Sequence, residues 1–256
     1  MAVIFYLSGS GNSLYAAQQI AENLEECRLE TIGSYLCKPY DVKDEVVGIV
    51  SPVYCFALPP VMAQFLEKLK AKPNYCFGVV TMGGNQGRAL KQMSEILATK
   101  GVTLNYGQTV LMPDNFFGIP LEKREAQLKA AEPVLAKIAG EVAEGKGDLS
   151  SVKEAMLWKL FGTSASWWYL KNRLNFEVMT VDATKCIGCN ICAEVCQMEN
   201  IKLVDGKPEF GSNCASCLGC FHWCPQSAIS AGKLTLDNSK RYTHPKINLQ
   251  MMKGDQ

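Results

Sequence analysis

The chain has 256 residues, 48% of them hydrophobic and 20% charged, with a formal net charge of +1 at pH 7. That length suits two domains better than one, and the near-neutral balance supplies no field that would recruit nucleic acid or an anionic membrane. No apolar run approaches the ~18 residues that a membrane span requires, and the opening Met1-Ala2-Val3-Ile4-Phe5-Tyr6 lacks the basic region and cleavage site of a secretory signal, so a cytoplasmic location is expected.

In chain order, residues 2–7 read as a strand, followed by the polar loop Ser8-Gly9-Ser10-Gly11-Asn12-Ser13. Residues 14–24 place Leu14, Ala17, Ile20, Ala21 and Leu24 at helical spacing. Residues 45–51 contain Val46-Val47-Gly48-Ile49-Val50, a continuous apolar run of the kind buried in a parallel sheet. Residues 61–69 read as a helix, 75–81 as a strand, 88–100 as a helix, and 102–111 as a further strand ended by Met112-Pro113. This alternation predicts βαβ units, and right-handed crossovers then favour a doubly wound parallel sheet with helices on both faces. Ligands of such sheets bind beyond the carboxyl ends of the strands, where the strand order reverses. The loops at 8–13, 52–59 and 82–86 therefore carry the expected site.

Residues 122–144 and 151–174 read as helices separated by Gly145-Lys146-Gly147-Asp148. The second is aromatic, with Trp158, Phe161, Trp167, Trp168 and Tyr169, and reads as a packing element joining two domains. A partner-facing or membrane-facing role is the lesser reading, because the segment is not strongly basic.

Cysteine breaks the ordinary composition. There are twelve, and eight fall between Cys186 and Cys224. A disulfide framework belongs to exported chains, and no export signal is visible. The eight form a duplication: Cys186, Cys189, Cys192 and Cys196 each recur 28 residues later, as Cys214, Cys217, Cys220 and Cys224. Each unit is C-x2-C-x2-C-x3-C. Three cysteines at that spacing wrap one iron–sulfur cube, and the fourth reaches across to the other. One [4Fe-4S] cluster is thus assigned to Cys186, Cys189, Cys192 and Cys224, and a second to Cys214, Cys217, Cys220 and Cys196. Zinc competes, since four thiolates also suit it, but structural zinc normally uses two separated C-x2-C pairs.

The loop at 8–13 lies between a strand and a helix start, where small residues let backbone N–H groups converge on an anion. It is neither a P-loop nor a dinucleotide fingerprint, and without lysine or arginine it fits a single phosphate monoester.

Residues 186–229, closed by Cys224-Pro225 and Ala228-Ile229, resemble a bacterial-type two-cluster ferredoxin. One departure is Gln197 after Cys196, where that family usually has proline; it is expected to loosen the loop and to shift the potential of one cluster. Ser8-Gly9-Ser10-Gly11-Asn12-Ser13 resembles the phosphate loop of flavodoxins at every position. Ser51-Pro52-Val53-Tyr54-Cys55-Phe56 is similar to the flavodoxin loop that packs an aromatic on the isoalloxazine, Tyr54 or Phe56 here. Thr81-Met82-Gly83-Gly84-Asn85 resembles the loop that hydrogen-bonds the flavin ring. The resemblance implies FMN, and an α/β, flavodoxin-like doubly wound parallel sheet followed by a small α+β two-cluster ferredoxin domain.

The order of the two parts resembles the flavodoxin–ferredoxin fusion proteins of anaerobes (EFR1-type ferredoxins), with Pro59, Met112-Pro113-Asp114-Asn115 and Trp223-Cys224-Pro225 also alike. The expected boundaries are 1–145 for the FMN domain, 146–176 for a helical aromatic linker, 177–240 for the ferredoxin domain and 241–256 for a C-terminal tail.

The expected function is electron transfer: low-potential electrons pass between two [4Fe-4S] clusters and FMN, and on to redox protein partners. The alternatives are an FMN-dependent reductase of a small molecule and a redox-sensing iron–sulfur regulator, the latter opposed by the intact flavin loops. No nicotinamide motif is visible, and no nucleophile–base arrangement can be assembled. Of the two histidines, His222 and His244, the former reads as a packing or surface residue, and Cys55 reads as a small buried residue. No catalytic residue is assigned.

Overall fold

The computed structural model describes residues 1–116, 119–153, 179–232 and 241–253. Most of the expected aromatic linker, including Trp158, Phe161, Trp167, Trp168 and Tyr169, lies outside the described residues.

The first part runs β1 (Ala2–Tyr6), α1 (Asn12–Ala21), β2 (Cys27–Thr31), α2 (Ile32–Cys37), β3 (Val46–Pro52), α3 (Pro60–Lys68), β4 (Tyr75–Met82), α4 (Ala89–Thr99), β5 (Tyr106–Leu111) and α5 (Leu121–Ala143). The strands form one five-stranded sheet in the order β2-β1-β3-β4-β5, and every pairing is parallel. This is the doubly wound α/β arrangement, with the flavodoxin-type strand order that puts the switch point between β1 and β3.

Alternation along β1 assigns the faces. Val3, Phe5 and Leu7 join α2, α3 and α4 through Ile32, Tyr35, Met62, Phe65, Leu90 and Met93. Ile4 and Tyr6 join α1 and α5 through Leu14, Ile20, Leu135, Ile138 and Val142. Burial on both faces explains why β3 and β4 read as continuous apolar runs.

The strand and helix that the sequence pattern does not announce are β2 and α2. β2 is the sheet edge and only half-buried along its length, so it shows no apolar run. Its charges are structural: the Arg28 guanidinium donates to Asp44 (2.7 Å) and to Glu30 (2.7 Å), and these bonds, Asp44 foremost, hold its pKa above the ordinary arginine value. The strand expected at 102–111 begins only at Tyr106. Val102 and Leu104 are buried as a loop under α4, joining the same core as Leu97.

The second part is a duplicated unit in structure as well as sequence. β6 (Met179–Val181), α6 (Ile191–Glu194) and β7 (Ile201–Val204) are followed by β8 (Lys207–Phe210), α7 (Gly219–His222) and β9 (Ile229–Ala231). Each element of the first unit recurs 28 residues on. The pairing is exchanged: β6 lies antiparallel to β9, and β7 to β8. The left-handed backbone positions repeat at the same offset, Gly188 with Ser216, Asn190 with Leu218, and Glu199 with Ser227.

The two parts share their cores. Val195, partly buried Ile191 and Trp223 pack into the α1/α5 side, while Met198, Ala215 and partly buried Cys196 and Cys217 pack into the α2/α3/α4 side. A final short helix, α8 (Leu249–Lys253), buries Met252 against the α1/α5 layer. Among the described residues no helix is long and apolar enough to cross a membrane.

Candidate functional site

A cavity of about 410 Å³ opens at the carboxyl ends of β1, β3, β4 and β5, within the range typical of small-molecule sites. Every residue expected at the cofactor site lines it except Gly11: Ser8, Gly9, Ser10, Asn12 and Ser13 from the first loop, Pro52, Val53, Tyr54 and Phe56 from the second, and Thr81, Met82, Gly83 and Gly84 from the third. The chain segment after β5 closes another wall, through Met112 to Phe116. The remaining wall comes from Ser216, Cys217 and Leu218 of the second cysteine unit. That contribution is invisible in the sequence, because it depends on how the two parts dock.

The first loop is an anion cradle by its backbone. Gly11 precedes α1 with φ 99°, and no side chain caps the helix, so its first-turn N–H groups remain available to a ligand. The loop is held by its own side chains and by distant ones. Gly11 N–H donates to Ser8 Oγ (3.2 Å), Ser13 Oγ meets Thr81 Oγ1 (2.8 Å), and Asn115 Nδ2 donates to Ser10 Oγ (3.0 Å). Asn12 donates to the Pro113 carbonyl (3.0 Å) and accepts from the Tyr242 hydroxyl (2.7 Å). Its amide therefore sets the shape of the loop.

Tyr242 and its neighbours form a strap that sequence reasoning treats as a tail. His244 N–H donates to the Ser10 carbonyl (2.8 Å), and His244 stacks on Tyr15 with ring centroids 4.2 Å apart. A Cβ on Gly11 would stand 3.1 Å from both the His244 and Ile247 Cβ atoms. Burial, with the Lys246 charge beside it, pushes the His244 imidazole down to about 4, so it is neutral near pH 7. His222 is likewise buried, accepts from Tyr242 N–H (3.2 Å) at Nδ1, and is lowered by burial and by Arg241 to about 3. Both histidines are packing residues.

The second loop makes a two-residue turn. Tyr54 and Ala57 exchange backbone hydrogen bonds of 2.9 Å each way, and Cys55 and Phe56 between them take φ of 48° and 65°. Such a turn normally uses Asn-Gly, so two ordinary side chains are held there under strain. Arg88 N–H clamps the turn through the Phe56 carbonyl (2.8 Å). The result presents Phe56 at the cavity rim, 38% exposed. Burial raises the Cys55 thiol to about 11, which disfavours its thiolate near pH 7. Tyr54 faces the cavity on one side and the second cysteine unit on the other. Burial, joined by Cys217 and Cys214, raises its hydroxyl well above the ordinary value.

The eight cysteines fall into two groups. A small cavity is lined by Cys186, Cys189, Cys192 and Cys224 together. Burial raises Cys192 to about 11, and neighbouring Cys189 and Cys224 push the same way. In the other group, burial raises Cys217 to about 12 and Cys220 well above its ordinary value, with Cys196 and Cys214 adding to both. The fourth cysteine of each unit thus sits with the first three of the other. Backbone donors reach the sulfurs: Asn200 N–H to Cys196 Sγ and Ala228 N–H to Cys224 Sγ, both 3.3 Å, and Ser216 N–H to Cys214 Sγ at 3.4 Å. Crowded buried thiols resist ionising together unless a cation supplies the opposing charge, which is what iron would do. The donor sets fit two cubes. Among the described residues no three His, Cys, Asp or Glu side chains converge on a single-ion site; the preference for cubes over zinc rests on the spacing and the crossed grouping.

The groups differ in what they touch. Cys217 lies in the cavity wall, and a Cβ added to Gly9 would stand 1.8 Å from its carbonyl oxygen. Trp223 Nε1 donates to the Gly9 carbonyl (3.0 Å). Each group has one exposed cysteine, Cys189 and Cys214, and what sets the Cys186 group apart is that none of its cysteines reaches the large cavity and that Ile187 beside it is 65% exposed. Gln197 does not loosen its loop: it is 8% exposed, and its Oε1 accepts from Ser8 N–H (3.0 Å).

Residues 179–202 match the 4Fe-4S binding domain family. The match spans the first cysteine unit. No curated protein matches the chain. Among solved structures, the chain is similar to rubredoxin oxygen:oxidoreductase from Desulfovibrio gigas, at 18% identity and TM-score 0.35, covering 54% of this chain and only 36% of that one. It is similar to Megasphaera elsdenii flavodoxin at 19% identity and TM-score 0.35, over 52% of this chain and 99% of that one. A third likeness is to a Lactobacillus acidophilus flavoprotein in complex with FMN, at 13% identity and TM-score 0.33, over 51% and 97% of the two chains.

Proposed function

We propose that this chain is an electron-transfer oxidoreductase that holds FMN and two [4Fe-4S] clusters, in the manner of the flavodoxin–ferredoxin fusion proteins, with an FMN domain at 1–145 and a ferredoxin domain at 177–240. FMN would lie in the 410 Å³ cavity, its phosphate at the start of α1 and its ring between the loops carrying Tyr54 and Met82. One cluster would be held by Cys214, Cys217, Cys220 and Cys196, and the other by Cys186, Cys189, Cys192 and Cys224. When bound, the cubes supply one-electron steps and the flavin exchanges one or two electrons, so the assembly converts between the two regimes.

A single observation carries the reading: Cys217 lines the same cavity as Ser10, Tyr54 and Gly83. The inner cysteine group and the loops of the first domain therefore share a wall, which supports a reading with the two cofactor sites side by side. The outer group, away from the cavity and with Ile187 65% exposed beside it, would be the entry from a protein donor. The protein's part is to position, to exclude water and to tune.

The test is anaerobic purification with flavin, iron and sulfide analysis, followed by mixing with a reduced low-potential one-electron protein donor. The expected result is one FMN and about eight iron atoms per chain, with donor-driven bleaching of the flavin. Stoichiometric zinc without sulfide, or no flavin after reconstitution, would overturn it.

A further inference from the structure

Gln197 and Pro225 occupy the same position in the two cysteine units, each directly after the fourth cysteine. Pro225 lies in the outer group's cavity wall. Gln197 enters the first domain instead. Its carbonyl oxygen presses on α2 where Gly33 stands, and a Cβ there would be 1.5 Å away. Its side-chain oxygen accepts from Ser8 N–H at 3.0 Å.

That bond fixes the amide's orientation, because only the oxygen can accept from a backbone N–H. The nitrogen, Nε2, is then buried with no hydrogen-bond partner among the described residues. An unsatisfied buried amide is costly and calls for an explanation. Gln197 does not line the large cavity, although Ser8 and Cys217 do, so the missing acceptor is not in the flavin site. Cys196 and Met198, its neighbours along the chain, pack in one core cluster with Ala215 and Cys217. In the inner group sulfur is already the acceptor for two backbone N–H groups, at Cys196 and Cys214.

We propose that Gln197 is a positioning residue that ties the phosphate loop to the inner cluster, its Oε1 holding Ser8 N–H and its Nε2 donating to a sulfur of the cluster on Cys196, Cys214, Cys217 and Cys220. The proposal rests on the cluster reading given above. A donor to cluster sulfur favours the more negative, reduced state and so raises the potential. Proline at 225 has no donor to offer the outer cluster. The duplication is thereby made unequal: the donor raises the inner cluster's potential relative to the same cluster without it, which favours electrons moving from the outer cluster inward.

The experiment uses the full chain, anaerobically reconstituted, as wild type, Gln197→Met and Gln197→Glu. Iron and sulfide counts come first; a wild type without two cubes would sink the cluster reading itself. Redox titration followed by paramagnetic resonance then reads each cluster, and FMN titration reads the loop. In Gln197→Met the inner midpoint moves negative, the outer stays, and the FMN dissociation constant rises about tenfold, the equivalent of one lost hydrogen bond. Gln197→Glu keeps the acceptor for Ser8, so FMN affinity holds better while the inner midpoint still falls. In the unmodified chain, isotope-labelled glutamine amide nitrogen couples magnetically to the reduced inner cluster, which needs no variant to fold. Unmoved midpoints in fully loaded variants, or no such coupling in the wild type, would reduce Gln197 to packing.

Discussion

The two cysteine units repeat each other in cysteine spacing and in backbone, yet they meet different surroundings. In both, a left-handed residue precedes a one-turn helix, and the fourth cysteine receives a backbone N–H at 3.3 Å. The first unit's Cys189 and Ile187 face outward, while the second unit's Cys217 and Leu218 form a wall of the cavity at the sheet switch point. Two of the positions at which the copies differ touch the loop at 8–13: Gln197, where the other copy has Pro225, bonds Ser8, and Trp223, where the other has Val195, bonds Gly9. Duplication supplies the ligand geometry. Docking supplies the role.

The strongest way to break the asymmetry is at Gly9, which stands against Cys217 with no room for a side chain. Gly9→Ala forces overpacking at the inner unit and costs about 1–3 kcal/mol. Thermal melts and FMN titration should both fall, while the resonance signal of the outer cluster persists. Equal loss of both clusters would mean that the units are not separately anchored.

The strap gives the next effect, through pH. His244 is lowered from 6.5 to about 4 by burial, with Lys246 adding and Glu132 opposing. Between those values the unfolded chain binds a proton that the folded chain refuses, so stability falls as pH drops through that window and levels off below it. By pH 5 the loss is about 1–2 kcal/mol. In His244→Phe the slope should shrink by one proton, which denaturation across pH 5 to 7 would reveal; an unchanged slope would place the titration elsewhere.

The smallest effect belongs to the outer face. Ile187→Ser removes an exposed apolar side chain and should change stability by no more than about 0.5 kcal/mol. FMN affinity and both cluster signals should hold, whereas flavin reduction by a protein donor slows if the outer unit is the entry. Normal donor kinetics would move the entry point.

Much of this was legible in the sequence for physical reasons. Strands buried on both faces announce themselves, as Val46-Val47-Gly48-Ile49-Val50 does. The cysteine spacing of the first unit carries its match to the 4Fe-4S binding domain family. What stayed hidden depends on tertiary contact. β2 is an edge strand whose Arg28 serves Asp44 rather than a core, and residues 241–247 have no periodicity, yet Tyr242 and His244 hold Asn12 and Ser10. Gln197 read as a defect in a loop because its partner, Ser8, is 189 positions away.

The central claim is that the inner cysteine group and the flavin cavity work as one unit. Single-turnover bleaching of the flavin by a reduced one-electron protein donor tests it most directly, in Cys217→Ala protein shown by resonance to keep only the outer cluster and loaded with saturating FMN. Donor-driven bleaching should collapse although direct chemical reduction of the flavin proceeds. Bleaching at the wild-type rate would contradict the claim and remove the inner cluster from the path.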